Sequence, residues 1–139
     1  MAYKKAFVDS DILINLLLRW QPFSTYSKVL FNDEITRGLS FNTSALILAN
    51  VHYILSKNLG RRAATDSIRY IMDMLNVFPF GSDHLASAVE TNSSDFEDTI
   101  QYHIAAGNKC DLIISRNIKH YQKFDLPVLT AGQFLRSIL

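Results

Sequence analysis

The sequence has a single cysteine, almost no net charge and no long apolar run. Cys110 on its own cannot form an internal disulfide, and its apolar neighbours favour a buried thiol over a reactive one, so we assign it no chemistry. A formal charge of +1 gives no general attraction to nucleic acid. Any binding of phosphate must therefore come from a local patch or from a metal ion.

No apolar segment approaches the roughly 20 residues that a membrane-spanning helix requires, which excludes a membrane as a partner. The first five residues run directly into a strand-like segment, without the apolar stretch and cleavage site of a secretory signal. We therefore expect a soluble, cytoplasmic protein. A length of 139 residues, without repeats or low-complexity linkers, suits one domain covering residues 1–139.

Short β-like runs alternate with longer segments of helical spacing. This alternation predicts a mostly parallel central sheet of about five strands, because parallel strands need crossover connections, and these are usually helical. The expected fold class is α/β, with three layers in the order α/β/α. The predicted strands are Lys5 to Asp9, Leu39 to Asn42, Val77 to Phe80, Asp111 to Ser115 and Pro127 to Leu129.

Helix start and stop signals agree best in one segment, which residues 42–44 (NTS) can cap and Gly60 can end. The other helices are placed from the spacing of their apolar residues. They are predicted at Asp11 to Trp20, Ser24 to Thr36, Arg61 to Leu75, Ser82 to Thr91, Asp95 to Ala106 and Ala131 to Leu139.

Acidic and amide side chains recur at the ends of the predicted elements. In an open parallel sheet the carboxyl ends of the strands form the usual binding edge, and both Asp9 and Asn117 should lie there. Asp111 begins its strand and should lie at the opposite end. Asp9 and Asn117 are therefore candidate site residues, and Asp111 is excluded.

Asp9 and Asp11 can also be interpreted as caps of the helix that follows them, because Asp is a favourable N-cap residue. This interpretation is stronger for Asp11 than for Asp9, which makes Asp9 the better candidate for a metal ligand. Asp11 can both cap the helix and support the site.

A second acidic cluster, residues 94–98 (SDFED), begins a predicted helix. Either Ser94 with Glu97 or Asp95 with Asp98 has the spacing of a capping box. On the helix that follows, Asp95 and Asp98 share a face that differs from the apolar flank. Asp98 is thereby left free to face a site at the helix N-terminus.

Asn50 has only apolar and aromatic residues as its helical neighbours at three and four positions, so its amide needs a partner. One alternative is a local hydrogen bond to the backbone or to Tyr53. The other is that Asn50 points at the acidic edge.

Three motifs occur in the order and spacing of a PIN domain, and the chain resembles that family along nearly its whole length. Among PIN proteins it resembles most the short bacterial group that includes VapC-like toxin ribonucleases. The motifs are residues 7–13 (FVDSDIL), 95–98 (DFED) and 113–117 (IISRN).

The resemblance implies an RNA-cleaving site whose acids hold one or two Mg²⁺ or Mn²⁺ ions. Asp9 matches the first family acid and Asp98 the third, and these two are the predicted metal ligands. Asn50 stands where the family typically has Glu, and Asn117 where many members have Asp. Ser115 matches the small hydroxyl residue.

An amide can coordinate a metal ion through its oxygen but brings no negative charge. The replacement of family acids by Asn50 and Asn117 should therefore weaken metal binding. We predict that the metal ligands are supported, without direct contact to the ion, by Asp11, Asp95 and Ser115. The leading hypothesis is a metal-dependent ribonuclease with Asp9, Asp98, Asn50 and Asn117 as catalytic residues. The alternative is a weak or inactive PIN module that binds RNA or protein without cleavage.

Binding RNA also requires positive charge, and Arg116, Lys119 and Lys123 follow the candidate site directly. An ordinary solvated loop is an equally good interpretation of this segment. A second basic region comprises Lys57, Arg61, Arg62 and Arg69. The resemblance further implies an antitoxin protein as a partner and a homodimer. The aromatic segments 20–23 and 71–80 are candidate interfaces for such a dimer, with burial in the core as the alternative.

Overall fold

The computed structural model describes residues 3–19, 23–32 and 34–138 of the chain. The candidate interface segment at residues 20–23 lies outside the described part, apart from the backbone of residue 23. In the other candidate segment Ile71 is buried, whereas the Met72 side chain is 57% exposed.

The described residues form one five-stranded sheet with the strand order β3-β2-β1-β4-β5. Every pair of neighbouring strands is parallel, as the alternation of strand and helix predicts. This confirms the predicted α/β fold class and its central sheet. The strands are β1 Lys5–Val8, β2 Ser40–Ser44, β3 Asn76–Phe78, β4 Leu112–Ile114 and β5 Val128–Leu129.

Eight helices connect and cover these strands in the described part of the chain. They are α1 Ser10–Leu18, α2 Phe23–Leu30, α3 Ala45–Leu59, α4 Arg61–Met74, α5 Ser82–Thr91, α6 Phe96–Gly107, α7 Ile118–Tyr121 and α8 Ala131–Ile138.

The two central strands carry the hydrophobic core. Residues 6–8 of β1 and 112–114 of β4 are fully buried, which is typical of parallel strands covered on both faces. The thiol of Cys110 packs in the same core, and burial raises its pKa to about 11, in agreement with an unreactive cysteine. No helix in the described residues is both long and apolar enough to cross a membrane.

Both signals predicted for the third helix are confirmed. The Ser44 hydroxyl caps α3 by accepting a hydrogen bond from the backbone N–H of Ile47 at 3.0 Å. The helix ends at Gly60, whose φ of 88° lies in a region that favours glycine.

The second helix is shorter than predicted, because α2 ends at Leu30 and does not continue to Thr36. The Asn32 side chain accepts a hydrogen bond from the N–H of Glu34 at 3.0 Å, and the Thr36 hydroxyl donates to the Asn32 carbonyl at 3.0 Å. Such local bonds offer the backbone an alternative to the helix and close a turn here. The four-residue helix α7 was not predicted at all.

Candidate functional site

The order of the strands creates a crevice at the carboxyl ends of β1 and β4. The chain proceeds from β1 to β2 and β3 on one side, while β4 and β5 lie on the other, and such a switch point is the usual ligand site of an open α/β sheet. Val8 pairs with Ile114, and the N–H of Asp9 donates to the Ile114 carbonyl at 3.0 Å. Asp9 and Ser115 therefore lie side by side at this edge.

Asp9 is buried and surrounded by donors. Its Oδ1 accepts from the N–H of Ser10 at 2.8 Å, and its Oδ2 accepts from the hydroxyls of Ser115 at 2.8 Å and Tyr121 at 3.1 Å. Burial raises the pKa of Asp9, and the nearby charge of Asp98 adds to the rise. Asp9 is also the N-cap residue of α1, so the expectation that Asp11 is the better cap was wrong.

Asp98 reaches the same place from the first turn of α6. Its Oδ1 lies 3.3 Å from the Tyr121 hydroxyl, which therefore contacts both Asp9 and Asp98 and donates its single proton to one of them at a time. The Nδ1 atom of His120 lies 2.7 Å from Asp98 Oδ2. Tertiary folding thus brings together two acids that are 89 positions apart in the sequence.

Tyr121 and His120 are site residues that the sequence reasoning missed. Tyr121 is fully buried although it lies in the polar run 116–123. Burial raises the pKa of its hydroxyl far above the usual range, and the charge of Asp9 raises it further, so the group stays a protonated donor. A tyrosine within a basic run was the one available signal, but its burial depends on α7, which has too few residues to show a periodic pattern.

Asp11 completes the buried acidic group. Its Oδ2 accepts from the N–H of Arg116 at 3.0 Å and lies 3.3 Å from the Ser115 hydroxyl, whereas Oδ1 is buried without a partner among the described residues. Burial, and secondly the charge of Asp9, raises the pKa of Asp11 to about 7. Because Ser115 has only one hydroxyl proton, it cannot satisfy Asp9 and Asp11 at the same time.

Asp95 is the N-cap residue of α6, but its side chain makes no capping hydrogen bond. Its Oδ2 pairs instead with Lys123 Nζ at 3.0 Å, and this hydrogen bond lowers the pKa of Asp95. The capping-box interpretation therefore holds in neither of its forms, because the helix is capped at Asp95 and not at Ser94, and the Asp95 carboxylate pairs with Lys123 instead of the helix backbone. Ligand atoms of Asp95, Asp98 and His120 lie within 4.8 Å of one another.

Asn50 is half-buried and donates through Nδ2 to Glu97 Oε1 at 2.7 Å. The alternative of a local partner is wrong, because the contact joins α3 to the acidic start of α6. The amide thus points at the acidic edge through Glu97, the neighbour of Asp98. In the sequence Glu97 has the spacing of a helix-cap residue, and no local pattern indicates its contact with Asn50.

Asn117 lies at the predicted edge with an exposed side chain. Its backbone N–H donates to the Ser115 hydroxyl at 3.0 Å, and its side chain makes no hydrogen bond to the acids among the described residues. Asp111 lies at the opposite end of the sheet, where its carboxylate accepts from the N–H groups of Lys4 and Lys5 at 2.9 and 3.1 Å. The exclusion of Asp111 is therefore confirmed.

The three basic residues after the site differ in their surroundings. Arg116 Nη1 donates to Asn15 Oδ1 at 3.0 Å, and Lys119 is exposed. Lys123 pairs with Asp95 and also lies over the Phe124 ring, 5.4 Å from its centroid.

The second basic region is an exposed surface at the end of α3 and along α4. Within it the Lys57 ammonium lies over the Tyr53 ring at 4.4 Å, and Arg69 pairs with Asp66 at 2.9 Å. Exposed pairs of this kind contribute little to stability.

The described residues fit a hard divalent cation, which prefers carboxylate oxygens. Three aspartates, Asp9, Asp11 and Asp98, converge on one crevice, and one buried oxygen of Asp11 has no partner in the described part of the chain. A cation in this crevice would replace the mutual repulsion of the acids by attraction. The residues that would hold such an ion are Asp9 and Asp98, with Asp11 beside them.

Replacing Tyr121 by phenylalanine tests whether its hydroxyl stabilises the paired acids. Tyr121→Phe leaves Asp9 with one donor fewer, so the free energy of unfolding in chelator should fall by about 1–3 kcal/mol. Urea titration measures this. Tyr102→Phe is the matched control, because this ring stacks on Phe124 at 4.3 Å and its hydroxyl has no hydrogen-bond partner in the described part of the chain. An equal effect of both substitutions would contradict the assignment.

Comparisons with known proteins place the chain in a family. The profile of the PIN domain matches residues 5–119. The chain is 30% identical to Ribonuclease VapC1 of Aquifex aeolicus (strain VF5), over 96% of this chain and 95% of the relative. Its fold is similar to a DNA-bound VapBC structure from Salmonella typhimurium, at a TM-score of 0.69 and 12% identity, over 91% of this chain and 98% of that chain. Its fold is also similar to a toxin-antitoxin complex from Klebsiella pneumoniae, at a TM-score of 0.66 and 18% identity, over 91% of this chain and 97% of that chain. The chain therefore belongs to the PIN-domain family, as a VapC-like member.

Proposed function

We propose that the chain is a ribonuclease of the PIN type that uses Mg²⁺ or Mn²⁺ at the carboxyl edge of β1 and β4. The observation that carries this proposal is the convergence of Asp9 and Asp98 on one tyrosine hydroxyl. The name of the relative from Aquifex aeolicus, a ribonuclease, supports RNA as the substrate.

In this proposal Asp9 and Asp98 hold the ion, and Asn50 and Asn117 orient water or the scissile phosphate by hydrogen bonds. When bound, a divalent cation supplies a nucleophile from water at neutral pH and stabilises charge on the phosphate.

Three further residues support the proposed ligands or the segment beside them. Ser115 donates to Asp9, and Asp11 holds the backbone of Arg116 in place. Asp95 holds Lys123 beside the site. Arg116, Lys119 and Lys123 then contact the RNA backbone, since positive side chains supply most of the affinity for phosphates.

The direct test is cleavage of a labelled single-stranded RNA by the purified protein with Mn²⁺, with Mg²⁺ and with chelator. Cleavage should require one of the metals and should stop with excess chelator. Cleavage of equal rate in chelator would reject the metal mechanism.

Metal binding should also stabilise the fold, because the ion binds the folded site only. At a Mn²⁺ concentration of about one hundred times Kd, the free energy of unfolding should rise by about 2.7 kcal/mol. Asp98→Asn should lose most of this increment, whereas Asp73→Asn, on the exposed face of α4, should keep it. Urea titrations with and without Mn²⁺ provide the comparison, and an undiminished increment in Asp98→Asn would exclude Asp98 as a ligand.

The second candidate is a PIN module that binds RNA or protein with little or no cleavage. This candidate is favoured by the amides Asn50 and Asn117, which stand where the family has acids. It is favoured also by the hydrogen bond from Asn50 to the Glu97 carboxylate, which engages an acid near the site. The two candidates predict different calorimetric titrations, because a cleaving enzyme should bind Mn²⁺ in competition with Mg²⁺ and an interaction module need not.

We further propose a cytoplasmic toxin with an antitoxin partner. The support for that partner is the fold shared with a toxin-antitoxin complex from Klebsiella pneumoniae. A homodimer is part of the same proposal. Size-exclusion chromatography with light scattering, on the chain alone, tests the dimer.

A further inference from the structure

We propose that the cavity adjoining the acidic site binds a phosphate of the RNA strand next to the scissile one. This inference rests on the proposed function and adds a substrate subsite to it. The cavity has a volume of about 390 Å³, and its lining includes Asn15, Ser27, Arg116, Thr130 and Arg136.

The first observation is a buried amide with an unused donor. Asn15 is 1% exposed, and its Oδ1 accepts the hydrogen bond from Arg116 Nη1. Its Nδ2 is buried and has no partner among the described residues. Buried donors in folded proteins nearly always have a partner, so an amide of this kind in a cavity wall indicates a ligand with an acceptor oxygen.

The second observation is the charge of the cavity wall. The guanidinium groups of Arg116 and Arg136 both belong to the lining, and the described residues contribute no carboxylate to it. A guanidinium matches phosphate oxygens with parallel donors, which suits Arg136 to bind a phosphate, while Arg116, bonded to Asn15, adds positive charge to the cavity wall. Gly132 leaves room for this arrangement, because a Cβ there would lie 3.3 Å from Arg136 Nη1.

The third observation is that the cavity begins where the acidic site ends. The backbone N–H of Arg116 binds Asp11 Oδ2, while the side chain of the same residue reaches Asn15. Asn15 follows Asp11 by four residues on α1, which corresponds to about 6 Å along the helix axis. An RNA strand whose scissile phosphate lies at the acids would thus bring a neighbouring phosphate to the cavity.

The test measures binding without cleavage. A fluorescent 2′-O-methyl RNA oligonucleotide is titrated with the full chain in chelator at several salt concentrations, and anisotropy gives Kd. Arg136→Gln should weaken binding about tenfold, which is the scale of one hydrogen bond to a charged group. It should also lower the slope of log K against log salt by about 0.7, the value for one phosphate contact on a single strand.

Arg69→Gln is the matched control, because Arg69 is also an exposed helical arginine but lies on α4, paired with Asp66. Its affinity and salt slope should equal those of the wild type. Equal losses of RNA affinity in both variants would indicate a general effect of positive charge and overturn the subsite. Wild-type RNA affinity in Arg136→Gln would also overturn it.

Asn15→Asp provides the second variant. Aspartate keeps an oxygen for Arg116 but replaces the unused amide donor by a negative charge, so the fold should persist while binding falls at least as much as in Arg136→Gln. Affinity equal to the wild type would overturn the role of Asn15.

The outcome is separable from the fate of the proposed function. RNA cleavage with Mn²⁺ together with wild-type binding by Arg136→Gln rejects the subsite alone. Binding that depends on Arg136 in a protein that never cleaves RNA supports the subsite and rejects the ribonuclease. Displacement of the RNA by a polyglutamate peptide but not by pyrophosphate would assign the cavity to a protein partner and overturn the proposal.

Discussion

Asp9→Asn should reduce Mn²⁺-dependent RNA cleavage by about a hundredfold or more, and Asp98→Asn should do the same. Each substitution keeps the size of the side chain but removes one of the two charges proposed to hold the cation. Single-turnover cleavage at saturating RNA measures the effect on the chemical step. The double variant should be little worse than either single variant, because groups that act as one unit are not additive.

The control for these substitutions is Asp73→Asn, which removes an exposed carboxylate from α4 and should leave the rate unchanged. Circular dichroism and melting curves confirm that each variant is folded. Wild-type rates in Asp9→Asn would remove the basis of the proposed mechanism.

In chelator, the free energy of unfolding should decrease as the pH rises from 5 to 8. The folded pKa of Asp11 is about 7 against an ordinary value of 3.8, so the folded state holds a proton that the unfolded chain has already lost. This contribution is complete below the unfolded pKa and is lost as the pH rises through the folded one. Between the two values the loss is at most about 1.4 kcal/mol per pH unit, with the raised pKa of Asp9 acting in the same direction.

Urea titrations at pH 5, 6, 7 and 8 measure this slope. Asp11→Asn should flatten it, because the amide does not titrate and avoids a buried charge at neutral pH. Saturating Mn²⁺ should also flatten it, since the ion favours the ionised carboxylates. A fall in stability with pH that is equal in wild type and Asp11→Asn would show that Asp11 is not the source of the slope.

The parts of the fold that followed from the sequence are those with local or periodic signals. Strands and helices alternate over segments long enough to show a period, and Ser44 and Gly60 are recognisable helix boundaries. Asp9 could be placed because it ends a strand at the carboxyl edge of a parallel sheet, whereas the pairing of Asp98 with it came from the resemblance to PIN domains. The same geometry excluded Asp111.

The parts that did not follow depend on partners distant in the sequence. Asp11 could not be recognised as the acceptor of the Arg116 N–H, 105 positions away, and its helix-cap role went to Asp9. Asn50 is bonded to Glu97, 47 positions away, and not to a helical neighbour. Local propensity contains no information about such pairs.

The short helix α7 had the largest consequence for the site. Its four residues are too few for a period, yet they place Tyr121 between Asp9 and Asp98. A basic run could be recognised as a surface for RNA, but not as the source of a buried hydroxyl. The contact of His120 with Asp98 was missed for the same reason.

Anomalous X-ray scattering from a crystal of the protein soaked in Mn²⁺ shows whether Asp9 and Asp98 share an ion. We expect one strong Mn²⁺ peak at the carboxyl edge of β1 and β4, with carboxylate oxygens of both acids at about 2.0–2.4 Å. A Mn²⁺ peak that contacts neither acid, with that edge empty at saturating metal, would contradict the proposed site.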